Sequence, residues 1–241
     1  MPPSSPLRLA VVCGGYSAEA PVSLKSAANV MEHVDRSRYA PTLVHIYPDG
    51  WWAEVAGERR AVNRADFTVP GLPPFQGVFI IVHGTPGEDG RLQGYFELLG
   101  LPHTTGDARS MALTFHKGWT TALLRGKGHP VAPSKEVARG TDVDALDVEE
   151  LLVGIGLPCF IKPNEAGSSF GVHRVEREEE VQPAIAAALA AERSSVLVEG
   201  YLKGREFTVG VLPDGAGGVQ ALPITEIVSH NAFFDYQAKY E

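Results

Sequence analysis

The chain has 241 residues, 44% of them hydrophobic, enough to bury the core of one large or two ordinary domains. Its 21 Lys and Arg stand against 29 Asp and Glu, a formal charge of −8, and no basic cluster is longer than "ERR", which argues against a nucleic-acid or anionic-membrane partner. The opening "MPPSSPLRLAVV" lacks the charged start and long apolar core of a signal peptide, and no apolar run is long enough to cross a bilayer, so a cytoplasmic protein is expected.

The first predicted strand is "LRLAVVCGG", closed by Gly14 and Gly15, and "YSAEAPVSLKSAANVMEHVD" follows as a helix. Val22, Ala27, Val30, Met31 and Val34 share one face of that helix, Ser17 is placed to cap it, and Pro21 suits its first turn. Two further apolar runs, "APTLVHIYP" and "GVFIIVHG", read as buried strands of a mostly parallel sheet, and "GRLQGYFELLG" as a helix stopping at Gly100. Ligands of such sheets gather at the carboxyl ends of the strands, where Gly14, Gly15, His83 and Gly84 fall. Cys13 and Cys159 lie in apolar runs far from any metal-ligand spacing and read as buried thiols.

Beyond residue 104 the chain predicts one helix over "DARSMALTFHKGWTTALLRGKG", packed through Met111, Leu113, Trp119, Ala122 and Leu123. An acidic helix "DVDALDVEELLVGIG", a strand "CFIKP", a helix from "EREEEVQPAIAAALAAE" and the strands of "SSVLVEGYLKGREFTVGVLPDG" come next. The acidic run at 176–180 reads as a solvated helix start, favoured there by the helix dipole.

Residues 161–173, "IKPNEAGSSFGVH", join a point charge, Lys162, to a turn whose Gly167, Ser168, Ser169 and Gly171 offer backbone N–H groups and hydroxyls with little bulk. That is equipment for an anion, although no G-x-x-x-x-G-K-[ST] is present and a solvated turn would look similar. Four stretches stand together in order: "GGYSAEAPVSLKS" at 14–26, "HGTPGEDGRLQG" at 83–94, "KPNEAGSSFGV" at 162–172 and "EGYLKGREFTV" at 199–209; a fifth, "FFDYQAKY", follows at 233–240. In this conjunction the sequence resembles the D-alanine–D-alanine ligases, members of the ATP-grasp carboxylate–amine ligases.

The resemblance implies an α/β protein: a Rossmann-like substrate domain over 1–103, a central ATP-grasp subdomain over 104–198, and the start of a C-terminal subdomain, incomplete, over 199–241. It implies an acyl phosphate made from ATP and captured by a second D-alanine, for peptidoglycan precursor synthesis, with Mg²⁺ or Mn²⁺ and, in the complete protein, a homodimer. By the same resemblance Lys117 and Lys162 meet the phosphates, Gly167, Ser168 and Ser169 cover the terminal one, and Ser168 reaches toward the first substrate. The hinge Glu199, Gly200, Tyr201 and Leu202 reads adenine through its main chain, with the Tyr201 and Leu202 side chains expected to be core, and Glu206 takes the ribose. Glu19 pairs with the first D-alanine's ammonium and His83 lies on the substrate side, while Glu88 and Asp89 shape a turn. Lys239 and Tyr240 belong to the loop over the reaction centre, Lys239 toward ATP. A tyrosine such as Tyr240 goes with dipeptide makers rather than D-lactate ligases, which leaves D-alanyl-D-lactate or D-alanyl-D-serine synthesis, and a non-catalytic nucleotide-binding module, as the alternatives.

The family's metal ligands are an acidic group and a Glu-x-Asn pair, and no Glu-x-Asn or Asp-x-Asn occurs in the 241 residues. The sequence therefore predicts no metal ligand within the chain, a C-terminal truncation, low activity alone, and an exposed apolar edge from about residue 200.

Overall fold

A computed structural model describes residues 5–167, 169–191 and 194–228. The expected first strand forms as β1 (Leu7–Gly14) and pairs in parallel with β2 (Tyr39–Tyr47) on one side and β5 (Gly77–Ile80) on the other. Between β1 and β2 runs α1 (Ala20–His33), with proline in its first turn as expected. Its N-cap is Glu19 rather than Ser17. The Ser17 hydroxyl sits further back, where it accepts from the Glu19 N–H at 3.2 Å and donates to the His83 carbonyl at 3.2 Å, tying the helix start to the end of β5.

The sequence reading did not anticipate β3 (Gly50–Val55) and β4 (Glu58–Ala61), which extend the sheet antiparallel to the order β4-β3-β2-β1-β5. Their turns at Asp49-Gly50 and at Ala56-Gly57, where φ is 52° and 82°, mark a hairpin in the sequence. One sheet face packs Ala10, Val12, Val44, Ile46 and Ala53 against Phe67, Phe75 and the residues Leu92 and Phe96 of α2 (Arg91–Leu98). The other packs Val11 and Cys13 against Ala27, Val30 and Met31 of α1. Alternation along β1 therefore feeds two cores, and full burial of a valine such as Val11 or Val12 is worth about 1.5–3 kcal/mol.

The single helix expected over 107–128 is two helices, α3 (Ala108–Phe115) and α4 (Lys117–Gly126). The break falls at His116, whose backbone is extended (ψ 103°) and whose Nδ1 accepts from the Trp119 N–H, so a side-chain cap competes with helix continuation. Trp119, Ala122 and Leu123, expected to pack, are exposed, and α4 buries no residue on any face. The acidic helix is shorter than expected, α5 (Val148–Leu152), started by Asp147, which accepts from the Glu150 N–H, and ended before Gly154 and Gly156, both at positive φ.

A second, wholly antiparallel sheet follows in the order β6-β9-β7-β8: β6 (Ser134–Val137), β7 (Cys159–Pro163), β8 (His173–Val175) and β9 (Val196–Gly200). The short strands β6 and β8 were not foreseen. The acidic run forms an exposed 3₁₀ turn at Glu178–Glu180 leading into α6 (Val181–Ala191), whose Val181, Ile185 and Ala188 cover Cys159, Ile161, Val196 and Val198. Both cysteines are buried and unpaired, and burial pushes the Cys13 thiol up to about 12 and raises Cys159 as well. Two small ribbons complete the described chain, β10 (Glu206–Thr208) with β13 (Thr225–Ile227) and β11 (Val211–Pro213) with β12 (Val219–Ala221). Apolar residues on and beside them are exposed, as expected of this segment: Phe207, Val211, Leu212, Val219 and, just before β13, Ile224 range from 51% to 73%.

Candidate functional site

Three chain reversals meet between the two large sheets. Gly14 and Gly15 end β1 with φ of 92° and 126°, and a Cβ on Gly14 would lie 2.8 Å from the Ile46 carbonyl oxygen, so only glycine lets the chain turn there. At the end of β5 the Gly84 N–H donates to Glu88 Oε2 at 2.8 Å, and burial raises the Glu88 carboxyl. Glu88 thus shapes the turn, as expected, and Asp89 likewise closes on Arg91 at 2.6 Å. His83 Nε2 lies 3.3 Å from Ser26 Oγ. Glu19 projects from the start of α1 toward the second sheet: a Cβ on Gly167 would lie 2.7 Å from Glu19 Oε1, and one on Gly84 3.0 Å from Oε2. A cavity of about 440 Å³ opens beside it, lined by Tyr16, Glu19, Gly84, Arg91, Phe115 and Glu165 among others.

From the other side come the two lysines. Lys117, the first residue of α4, turns its ammonium onto the carbonyls of Pro163 (3.0 Å), Asn164 (3.3 Å) and Ala166 (2.6 Å), using all three donors. Burial, and then the charge of Lys162, bring its pKa down to about 8. Lys162 lies on β7 with Glu199 on β9, and the register sets Phe160 opposite Glu199 and Lys162 opposite Leu197. The two side chains are therefore diagonal neighbours on one face, with Nζ and Oε2 2.5 Å apart. The anion that the sequence demanded for a half-buried Lys162 is, within the chain, Glu199; two residues 37 apart carry no signal of pairing until the strand register is known.

The glycine–serine turn follows β7. Ser169 and Gly171 take φ of 60° and 67°, and the Phe170 N–H closes the turn on the Gly167 carbonyl at 2.9 Å. At the hinge, the Gly200 N–H donates to Pro133 and the Tyr201 N–H to Pro158. Tyr201 and Leu202 are 38% and 68% exposed, which overturns their expected place in the core; they follow β9 beyond the reach of α6, and Tyr201 instead lies against Phe160 and under the Arg174 guanidinium. Glu206 is exposed on β10. Ser168, Lys239 and Tyr240 lie outside the described residues.

The structure thus brings Glu19 against Gly167 and sets Lys162, Glu19 and Glu199 within electrostatic reach of Lys117; among the described residues predicted for the site Glu19 alone lines the cavity, and His83 lies against Ser26. Sequence reasoning missed Asn164, fully buried behind Lys117, and Glu165 and Arg91 on the cavity wall. Among the described residues no three His, Cys, Asp or Glu side chains group as a metal site, and no helix is long and apolar enough to cross a membrane.

Residues 8–73 match the family described as D-ala D-ala ligase N-terminus and residues 123–241 the D-ala D-ala ligase C-terminus. A D-alanine–D-alanine ligase of Flavobacterium johnsoniae is 42% identical over 237 residues, covering 97% of this chain and 72% of that protein. One of Bacteroides fragilis is 39% identical over 236 residues, covering 96% and 71%. Among solved structures, the D-alanine-D-alanine ligase from Coxiella burnetii superposes with a TM-score of 0.82 at 28% identity, over 94% of this chain and 70% of that one. The VanG D-Ala:D-Ser ligase from Enterococcus faecalis gives 0.80 at 30% identity, over 98% and 74%.

Proposed function

The chain belongs to the D-alanine–D-alanine ligase family, with its ATP-grasp fold, and from that membership we propose that its cleft binds ATP and D-alanine for dipeptide synthesis. The γ-phosphoryl group passes to the carboxylate of one D-alanine, releasing ADP. The amine of a second D-alanine then attacks the acyl carbon, expels phosphate and loses a proton as the amide forms. The observation that carries this reading is that Glu19, at the start of α1, lies against the glycine turn at 167 and within electrostatic reach of Lys117, which in turn feels the charge of Lys162.

Phosphoryl transfer asks a protein for positioning and positive charge. Lys117 and Lys162 supply the charge, and Gly167, Ser168 and Ser169 cover the terminal phosphate. Glu19 holds the ammonium of the first substrate and His83 the neighbouring wall. The main chain at 199–202 reads adenine, where the exposure of Tyr201 and Leu202 leaves the strand end open to a base. In this proposal residues 1–103 form the substrate unit, 104–198 the nucleotide unit, and 199–241 begin a third, and Ser168, Glu206, Lys239 and Tyr240 keep the roles the resemblance gives them. A divalent metal belongs to the family's chemistry, but the described residues do not fit one, and no step here runs through it.

Calorimetry with ATP and D-alanine, with phosphate release measured for D-alanine, D-lactate and D-serine in turn, tests the assignment. D-alanine is the expected preference; a chain that binds no ATP, or that prefers D-serine or D-lactate, overturns it. Glu19→Gln is expected to weaken D-alanine more than ATP, and equal losses would make Glu19 a structural helix start. Because residues 1–241 contain no Glu-x-Asn, we further propose that turnover by this chain alone is low. Robust Mg²⁺-dependent synthesis by it would remove that part and leave the ligase assignment standing.

A further inference from the structure

We propose that Asn164 is a positioning residue for Lys117, acting at the end of a hydrogen-bonded chain, Glu136–Ser195–Asn164, that ties the start of α4 to β6, β7 and β9. The inference rests on the nucleotide-site reading of Lys117 and adds the residue that sets where its ammonium lies.

Asn164 directly follows β7 and is 0% exposed, so it touches no ligand itself. Every polar group it has is used. Its N–H donates to the Ser195 carbonyl at 2.9 Å and its carbonyl accepts from the Lys117 N–H at 3.2 Å. Its Oδ1 accepts from the Gly118 N–H at 2.9 Å and its Nδ2 donates to Ser195 Oγ at 2.8 Å. Asn164 therefore satisfies the first two of the N–H groups that a helix leaves unpaired at its start, and His116 satisfies the third.

Proton bookkeeping fixes the amide's orientation. The Ser195 hydroxyl donates to Glu136 Oε1 at 2.5 Å, so its oxygen can only accept from Asn164, which must present Nδ2 there and Oδ1 to Gly118. Space is equally constrained: a Cβ on Gly118 would lie 3.2 Å from both Asn164 Oδ1 and Glu136 Oε2. With α4 seated this way, the Lys117 side chain folds back over the turn that Asn164 begins and reaches the carbonyls at 163, 164 and 166. A lysine elsewhere on the helix would not have this reach.

The test is a double-mutant cycle on ATP affinity in this chain, read by calorimetry, with melting temperature recorded for each variant. Lys117→Ala and Asn164→Ala are each expected to weaken ATP about tenfold, and Asn164→Ala to cost nothing further in the Lys117→Ala background. Additive losses overturn the inference while leaving the nucleotide site intact. A second readout needs no ATP: ¹³Cε-labelled lysine followed by NMR, with the Lys117 signal assigned by its loss in Lys117→Ala. In the parent chain it titrates near 8; in Asn164→Ala it moves up toward the ordinary lysine value as the ammonium escapes to solvent. An unmoved titration overturns the inference. If Lys117→Ala binds ATP as well as the parent, the lysine has lost its phosphate role, and the titration alone decides what Asn164 does. Should Asn164→Ala not fold, Ser195→Ala, which removes one link of the chain, replaces it in both measurements with the same expectation at smaller size.

Discussion

The sheet at 134–200 and the ribbons at 206–228 are spelled in the same alphabet of valine, leucine, isoleucine and phenylalanine, but they end in opposite places. Ile161, Val196 and Val198 are wholly buried beneath α6, whereas Val211 and Val219 on two-stranded pairs, and Ile224 just before β13, stand 56%, 73% and 70% exposed. Local sequence makes both into strands. Only a covering layer makes one of them a core, and two-stranded ribbons are marginal without one. The functional side chains follow the same division: Lys117, Lys162 and Glu199 are held by the four-stranded sheet and its neighbours, while Glu206, the expected ribose ligand, rides on a ribbon.

The most direct way to break this comparison is to cut into the covered sheet. Ile161→Ala removes a fully buried side chain between β9, β8 and α6, and is expected to cost about 2–5 kcal/mol in urea unfolding. A loss below about 0.5 kcal/mol would mean that the sheet at 134–200 is no better covered than the ribbons.

Lys162→Ala sharpens the comparison, because it asks whether the packed sheet serves ligand or fold. Lys162 contributes an ammonium at the cleft rather than core packing, and its partner Glu199 remains half-buried after the substitution. The expected result is an ATP affinity lower by about tenfold with the cooperative unfolding retained. Unchanged affinity would reduce the Lys162–Glu199 pair to a structural cross-strand contact.

A smaller effect separates the two lysines by pH. Burial and Lys162 hold Lys117 near 8, so the ligand-free chain sheds this proton as pH rises through that value, while bound phosphate would retain it. ATP affinity is therefore expected to fall above pH 8. The stability of the ligand-free chain should move oppositely: between about 8 and the ordinary lysine value the unfolded chain binds more protons than the folded one, so this group's contribution to stability rises with pH. ATP affinity flat from pH 7 to 9 in calorimetry would remove Lys117 from the nucleotide.

What the sequence allowed to be read follows the same line between local and assembled information. The β1–α1–β2 unit, β5, α2, β7, α6 and β9 were legible because period and turn residues are local signals: Gly14 and Gly15 end a strand, Gly100 a helix. The hairpin of β3 and β4 was passed over although Asp49-Gly50 announced it. The break at His116 was hidden because histidine is an unusual cap, and the exposure of Trp119 and Leu123 could not be read from their periodicity alone. In the cleft, Glu19, His83, Lys117 and Lys162 could be named from motif order. Glu199 as the partner of Lys162, and Asn164 behind Lys117, could not, since register and buried hydrogen bonds join residues 37 and 47 positions apart.

The smallest expected effect belongs to the ribbons. Val219→Thr on β12 and Ile224→Thr just before β13 exchange one β-branched side chain for another of good strand propensity, so neither ribbon should be lost. Both residues face water over most of their surface, so little apolar burial is given up, and each change is expected to stay within about 0.5 kcal/mol in the same urea titration used for Ile161→Ala. The gain should appear elsewhere. Exposed apolar residues on short two-stranded edges invite pairing between molecules, and a hydroxyl at 219 and 224 weakens that attraction without touching the covered sheet. Sedimentation velocity of the double variant is expected to show less self-association than the parent at equal concentration, with the same melting temperature. If the double variant instead loses as much stability as Ile161→Ala, then in solution the ribbons are covered, and the contrast between the two regions fails at its root.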